Sequence, residues 1–172
     1  TIDRIDCPVG DDSAAATPQI RIIDYKTGSD PVEASRLEHL FVGKGATQER
    51  AKAILQLLLY CQAYAGELDE HGAKVGKPGM GNVAISPWIY SLRKMSKNDF
   101  APVRIGRPDE ESGRYKLTPV NDYREFVEEF NTMLFEQLLS LFDESLPFVQ
   151  ASSDGPCKYC KFTQICRRNT TN

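Results

Sequence analysis

Two apolar runs near the start of the chain alternate with polar residues and predict paired β-strands. Residues 1–7 (TIDRIDC) alternate in this way, and residues 19–27 form a second run rich in isoleucine. Between them, residues 8–18 are rich in Gly, Asp, Ser and Ala, which is typical of a loop. We therefore expect an antiparallel hairpin that brings Asp3 and Asp24 near each other at one end of a sheet.

Longer segments follow the period of a helix. Residues 47–65 are apolar on almost every side, which predicts a buried helix that Thr47 caps and Gly66 ends. Residues 121–145 keep the i, i+3, i+4 rhythm of an amphipathic helix. The pair Asp30-Pro31 is typical of a helix start, so a short helix is expected to follow it.

The remaining apolar runs predict further strands. Residues 82–93 read as a third strand, and Pro87 within it favours an edge position or a bulge. Residues 100–106 and 113–117 predict a hairpin over an acidic turn. Strands and helices in this order predict a mixed α/β (α+β) fold.

Composition narrows the class of protein. The 172 residues suit one domain, and 41% hydrophobic content is enough for a sizeable core. A net charge of −3 argues against a generally basic nucleic-acid binder but leaves room for a local basic patch. The sequence has no apolar stretch long enough to span a membrane and no signal peptide, so we expect a cytoplasmic protein. We also expect the fragment to be monomeric. It opens inside a strand pattern without Met, which favours a fragment of a longer protein.

The end of the second strand carries the main candidate chemistry. Asp24 and Lys26 alternate along the strand and so share one face, where an acid and a base together suit a metal ion and a water. The simpler interpretation of this D-x-K triplet is a surface ion pair on an edge strand. Gln56 and Tyr60 lie one turn apart on the predicted helix, where Tyr60 alone would read as a core residue.

Five cysteines point to a reducing compartment, because three of them crowd the tail. Cys157, Cys160 and Cys166 form a C-x2-C-x5-C pattern that suits zinc or an iron–sulfur cluster, with a fourth ligand from elsewhere. We expect Cys7 and Cys61 to be buried thiols rather than ligands. Neither of the two histidines lies in a recognisable ligand pattern.

Together these motifs resemble the RecB-type branch of the PD-(D/E)XK nuclease superfamily. The resemblance rests on Asp3 in the first strand, D-x-K at 24–26 and Q-x3-Y at 56–60, in that order. The cysteine tail resembles the iron–sulfur motif of AddB-type helicase–nuclease subunits and of CRISPR-associated RecB-like exonucleases. The resemblance implies a restriction-endonuclease-like core, a central mixed sheet flanked by helices, over residues 1–150, and a cysteine-rich tail over 151–172.

The resemblance also implies a metal-dependent DNA exonuclease, part of a helicase–nuclease that acts in double-strand-break repair and recombination. Asp3 and Asp24 would hold Mg²⁺ or Mn²⁺ with the main-chain carbonyl of Tyr25, and Lys26 would complete the catalytic set. DNA and a helicase partner subunit are the implied partners.

In the same resemblance, Gln56 and Tyr60 position the DNA strand. Cys157, Cys160 and Cys166 supply three ligands of a [4Fe-4S] cluster. The family carries its fourth cysteine, and a helix with an acid or His, upstream of the first catalytic strand, and this sequence begins after both. The isolated fragment could therefore be inactive.

Two other classes of function remain open. The chain could be a non-catalytic DNA-binding or scaffolding module of a repair complex, although intact Asp3, Asp24 and Lys26 argue against it. A zinc-ribbon-like adaptor that uses the cysteine tail is the weaker alternative, because the tail offers three thiols rather than four.

Overall fold

The computed structural model describes residues 1–7, 19–42, 50–66, 83–93, 100–147, 149, 157 and 160–167. These residues form two three-stranded sheets and two α-helices, which confirms the mixed α/β class, with two small sheets where one central sheet was expected. The elements in chain order are β1 (Arg4–Asp6), β2 (Gln19–Lys26), β3 (Glu33–Ala34), α1 (Lys52–Ala65), β4 (Ala84–Ser91), β5 (Arg104–Pro108), β6 (Tyr115–Pro119) and α2 (Val127–Phe142).

The first sheet has β2 at its centre. Arg4 of β1 lies opposite Ile23 in an antiparallel pair, which confirms the predicted hairpin, while the predicted loop at 8–18 lies outside the described residues. On its other side β2 runs parallel to β4, with Ile23 opposite Trp88. Strands paired in parallel need a long crossover, and α1 lies within it.

The strand β4 has no further partner strand among the described residues, which agrees with the edge position that Pro87 favours. The carbonyl oxygen of Pro87 accepts a hydrogen bond from Val103 N at 3.0 Å. This contact ties β4 to the segment that leads into β5.

The helix α1 packs on β2 and β4 and buries Ile54, Leu57 and Leu58 completely. It begins at Lys52, later than the predicted residue 47, and Thr47 lies outside the described residues. Gly66 ends it as predicted: its φ of 73° is left-handed, and its N–H bonds the carbonyl groups of the last turn.

The second sheet places β5 between β3 and β6. The helix expected after Asp30-Pro31 is wrong: β3 lies there, followed by a 3₁₀ helix at Leu37–Leu40. The local preference of Asp30-Pro31 for a helix start is overridden here, because Ala34 is buried in a parallel strand pair with Ile105. The segment after β3 also packs so closely on β5 that a Cβ at Gly106 would collide with the carbonyl oxygen of Ser35.

The predicted hairpin of 100–106 and 113–117 is present two to four residues later, as β5 and β6. The acidic turn is built by Asp109, whose side chain accepts hydrogen bonds from the N–H and hydroxyl of Ser112 at 2.9 Å each. These bonds hold the pKa of Asp109 below its usual range.

The helix α2 is shorter than the predicted 121–145, because a 3₁₀ turn at Tyr123–Glu125 precedes it and it ends at Phe142. Phe130 is buried in the core, whereas Phe142 is 78% exposed. The apolar side chains of α2 therefore pack against the core only along the first half of the helix. In the described part of the chain, no helix combines the length and the hydropathy that crossing a membrane requires.

Candidate active site

The candidate site lies where the central strand β2 ends. Asp24 is 3% exposed, and Lys26, two residues further along the same face, is partly buried. The Lys26 Nζ atom lies 2.6 Å from Asp24 Oδ2. The predicted sharing of one face is confirmed, and the pair is no exposed surface ion pair, because the Asp24 side chain is only 5% exposed.

The surroundings of Lys26 keep its ammonium group charged. Burial lowers the pKa of Lys26, but the hydrogen bond and the charge of Asp24 outweigh it, with help from the carboxylates of Asp30 and Asp3. The pKa of Lys26 is therefore raised above its usual range. At neutral pH Lys26 acts as a cation and hydrogen-bond donor, not as a base.

A line of hydrogen bonds joins the strand to the helix. Lys26 Nζ donates to Gln56 Oε1 at 3.2 Å, and Gln56 Nε2 donates to the Tyr60 hydroxyl at 2.5 Å. Gln56 and Tyr60 share one face of α1 because they are four residues apart. The structure thus brings the D-x-K and Q-x3-Y motifs together, in the order Asp24, Lys26, Gln56, Tyr60.

Asp3 reaches the same strand end from β1. Its Oδ2 accepts a hydrogen bond from the backbone N–H of Tyr25 at 2.9 Å. Continuing the antiparallel register by one residue beyond Arg4 and Ile23 places Asp3 opposite Asp24. The predicted proximity of the two acids is therefore confirmed, with Asp3 exposed and Asp24 buried.

The chemistry of these two acids fits a hard divalent cation. Magnesium prefers oxygen ligands, and Asp24 Oδ2 is a buried oxygen that contacts the Lys26 ammonium without receiving a well-directed hydrogen bond. Among the described residues, however, no three His, Cys, Asp or Glu side chains converge as a ligand set. A cation at this strand end would need oxygens beyond the two carboxylates.

The described cysteines do not converge as a ligand cluster either. Cys160 is exposed and its sulfur accepts a hydrogen bond from Phe162 N at 3.4 Å, while Cys157 and Cys166 are partly buried. Cys61 is buried as expected, and burial raises the pKa of its thiol, which disfavours the thiolate that binds metals. The expectation for Cys7 is wrong: β1 ends one residue earlier, and Cys7 is exposed.

The sequence patterns missed a second group of polar residues near this strand end. Ser35 Oγ and His39 Nδ1 lie 3.1 Å apart, and both residues line a cavity together with Arg50. The only signal in the sequence is the four-residue spacing of Ser35 and His39. That spacing predicts a contact only if the segment is known to form a helical turn.

Residues 1–167 match the PD-(D/E)XK nuclease superfamily, so the match covers nearly all of the 172 residues. No curated protein and no solved structure gave a significant match. The match includes both motifs whose side chains meet at the end of β2. The chain therefore belongs to the PD-(D/E)XK nuclease superfamily.

Proposed function

We propose that this chain is a metal-dependent DNA exonuclease domain of an AddB-like helicase–nuclease acting in double-strand-break repair and recombination. Membership of the superfamily indicates a metal-dependent nuclease. The observation that carries the proposal is the line of contacts from Asp24 through Lys26 and Gln56 to Tyr60. A surface ion pair without a function would not need the additional hydrogen bonds that Gln56 and Tyr60 of α1 provide.

In this proposal Lys26 acts on the phosphate being cleaved. An ammonium group has three N–H donors; Lys26 Nζ donates one to Gln56 and lies 2.6 Å from the Asp24 carboxylate. A donor that Gln56 does not use can face the attacking water or a phosphate oxygen. Because Lys26 is charged at neutral pH, it stabilises the negative charge that grows as the water oxygen bonds to phosphorus and the bond to the leaving oxygen breaks.

Asp24 and Asp3 would hold the cation, with the main-chain carbonyl of Tyr25 as the third oxygen from the protein. A divalent cation held by these oxygens would supply polarisation of the phosphate and a bound water of lowered pKa. The buried carboxylate of Asp24 keeps Lys26 in place, and the hydrogen bond between Asp3 and Tyr25 N fixes the backbone between the two motif residues. Gln56, held by its hydrogen bond to Tyr60, restricts the rotamers of Lys26. In this proposal Gln56 and Tyr60 also position the DNA strand.

The test is digestion of end-labelled linear DNA by the full-length protein with Mg²⁺ or Mn²⁺. We expect Lys26→Ala to abolish cleavage and Lys116→Ala, which removes an exposed lysine of β6, to leave it intact. Covalently closed circular DNA should survive, because an exonuclease needs an end.

Three outcomes would contradict parts of the proposal. Cleavage of the closed circle would replace the exonuclease with an endonuclease. Equal activity of wild type and Lys26→Ala would remove Lys26 from the mechanism. DNA binding without cleavage by either protein would support the non-catalytic module instead.

The tail forms the second part of the proposal, with residues 1–150 as catalytic core and 151–172 as a cysteine-rich segment. Cys157, Cys160 and Cys166 would supply three of the four thiolates of a [4Fe-4S] cluster. Anaerobically purified full-length protein should be brown, with visible absorption that Cys160→Ser removes. Bound zinc without visible absorption would favour the zinc-ribbon-like adaptor instead. For the partner, we expect the helicase subunit to co-purify with the protein.

A further inference from the structure

A cavity of about 280 Å³ lies between β3, the 3₁₀ helix and the two residues that precede α1. Its walls include Ser35, His39 and Arg50. This volume is near the lower end of ligand pockets, which suits one small group better than a base pair. None of these three residues belongs to the two catalytic motifs.

Two segments of the chain link the cavity to the residues around the end of β2. Pro31 lines it, and the preceding Asp30 is close enough to Lys26 to help raise the pKa of that lysine. Ala51, the residue directly before α1, lines it as well and lies five residues before Gln56 in the sequence. The walls of the cavity and the surroundings of Lys26 therefore draw on the same two segments, residues 30–31 and residues 51–56.

The charges around the cavity favour an anion. Arg50 is exposed and forms no ion pair within the described residues. The acid in the wall, Glu33, is already paired with Arg104 at 2.8 Å. The adjoining start of α1 has no acidic residue in its first turn and no side-chain cap on its N-terminal residue, so its positive dipole end is not neutralised there.

The pairing of Ser35 and His39 leaves a second donor at the cavity. When the Ser35 hydroxyl donates to His39 Nδ1, the proton of a neutral ring is on Nε2. Nε2 makes no hydrogen bond within the part of the chain that the structure describes. Arg50 and His39 thus offer a cation and a ring N–H donor to the same cavity.

We propose that this cavity binds a phosphate group of the nucleic-acid substrate next to the bond that is cleaved, with Arg50 as its cation and His39 as a hydrogen-bond donor. The inference rests on the proposed nuclease function and deepens it. The phosphate is either one within the strand or one at the strand's end, and both present the same oxygens to Arg50.

The experiment measures binding without cleavage. A fluorescently labelled DNA duplex with single-stranded tails is titrated with the full chain in EDTA, with and without terminal phosphates. We expect Arg50→Gln to raise the Kd about tenfold and to make the slope of log K against log [salt] less negative by about 0.7–0.9. Arg50→Lys should recover most of the affinity, because it keeps the charge.

The matched control is Arg114→Gln, at the turn between β5 and β6, which we expect to change the Kd less than twofold. In turnover assays Arg50→Gln and His39→Ala should raise KM and leave kcat nearly unchanged, because neither residue touches the reacting atoms. An effect confined to end-phosphorylated DNA identifies the terminal phosphate, and an equal effect on both substrates identifies a phosphate within the strand.

The proposal is overturned if wild type binds DNA and Arg50→Gln binds it with the same Kd and the same salt slope. In that case the nuclease function still stands. If wild type binds neither substrate in EDTA, the phosphate site is overturned too, whereas the nuclease function fails only if wild type leaves linear DNA uncut with Mg²⁺ or Mn²⁺. The two failures can therefore be told apart.

Discussion

Replacing Lys26 with methionine tests how far the candidate site is held by charge. The change keeps most of the side-chain volume but leaves the Asp24 carboxylate, 5% exposed, without its cation. At the observed 2.6 Å, the attraction amounts to about 6 kcal/mol with an effective dielectric constant of about 20. Desolvation of the two charges offsets part of this, so we expect a loss of about 3 kcal/mol in unfolding free energy.

That loss corresponds to a fall in Tm of about 6–12 °C for a chain of this size. Thermal and urea unfolding at pH 7 measure it directly. The companion variant Asp24→Asn removes the buried charge and leaves Lys26, with 22% of its side chain exposed, able to reach water, so it should cost much less. The double variant should be more stable than Lys26→Met alone, because no carboxylate is then buried unpaired.

Divalent cations add a second readout. Mg²⁺ or Mn²⁺ should raise the Tm of wild type and, by a larger amount, that of Lys26→Met, where a cation can replace the missing ammonium. Asp24→Asn should lose the shift. The reasoning is refuted if Lys26→Met is destabilised by less than about 1 kcal/mol, the value expected of an exposed ion pair.

Three further perturbations test other parts of the structure. Gln56→Leu removes the bonds to Lys26 and Tyr60 and should lower kcat about 10–100-fold with an unchanged Tm; a kcat within twofold of wild type contradicts the positioning role. Phe130→Ala should lower the free energy of unfolding in urea by about 3–5 kcal/mol, whereas Phe142→Ala, at an exposed position, should change it by no more than about 0.5 kcal/mol. Equal losses in the two variants would contradict the burial of the first half of α2. Burial raises the pKa of Cys61, so the unfolded chain releases the thiol proton first as pH rises. Unfolding free energy should then fall above about pH 8.5, by up to about 1.4 kcal/mol per pH unit, and Cys61→Ala should flatten that slope.

The local pattern was sufficient for β2 and α1. Isoleucines at 20, 22 and 23 mark a strand that is buried in the middle of a sheet, and the apolar run that ends at Gly66 marks a helix that is buried along most of its length. Where an element's state depends on a distant partner, the pattern failed. Ala34 lies in a strand because Ile105 pairs with it, although the preceding Asp30-Pro31 favours a helix.

The same limit applies to the candidate site. Periodicity places Asp24 with Lys26, and Gln56 with Tyr60, but the bond between Lys26 and Gln56 exists only because α1 packs on β2. The cavity lined by Ser35, His39 and Arg50 could not be predicted at all, since its walls come from β3, the 3₁₀ helix, the residues before α1 and β6. Motifs within one element are readable from sequence, and surfaces shared by several elements are not.

The parallel pairing of β2 with β4 also determines when the site can form. Gln19 pairs with Ala84 and Lys26 with Ser91, so the chain has to close a long loop around α1 before the central strand gains its second neighbour. Such non-local contacts form late in folding. During synthesis, Asp24 and Lys26 emerge well before the helix that orients them, and the nascent chain carries both motif residues without an assembled site. The hydrogen bond from Lys26 to Gln56 therefore forms only once α1 has packed on β2.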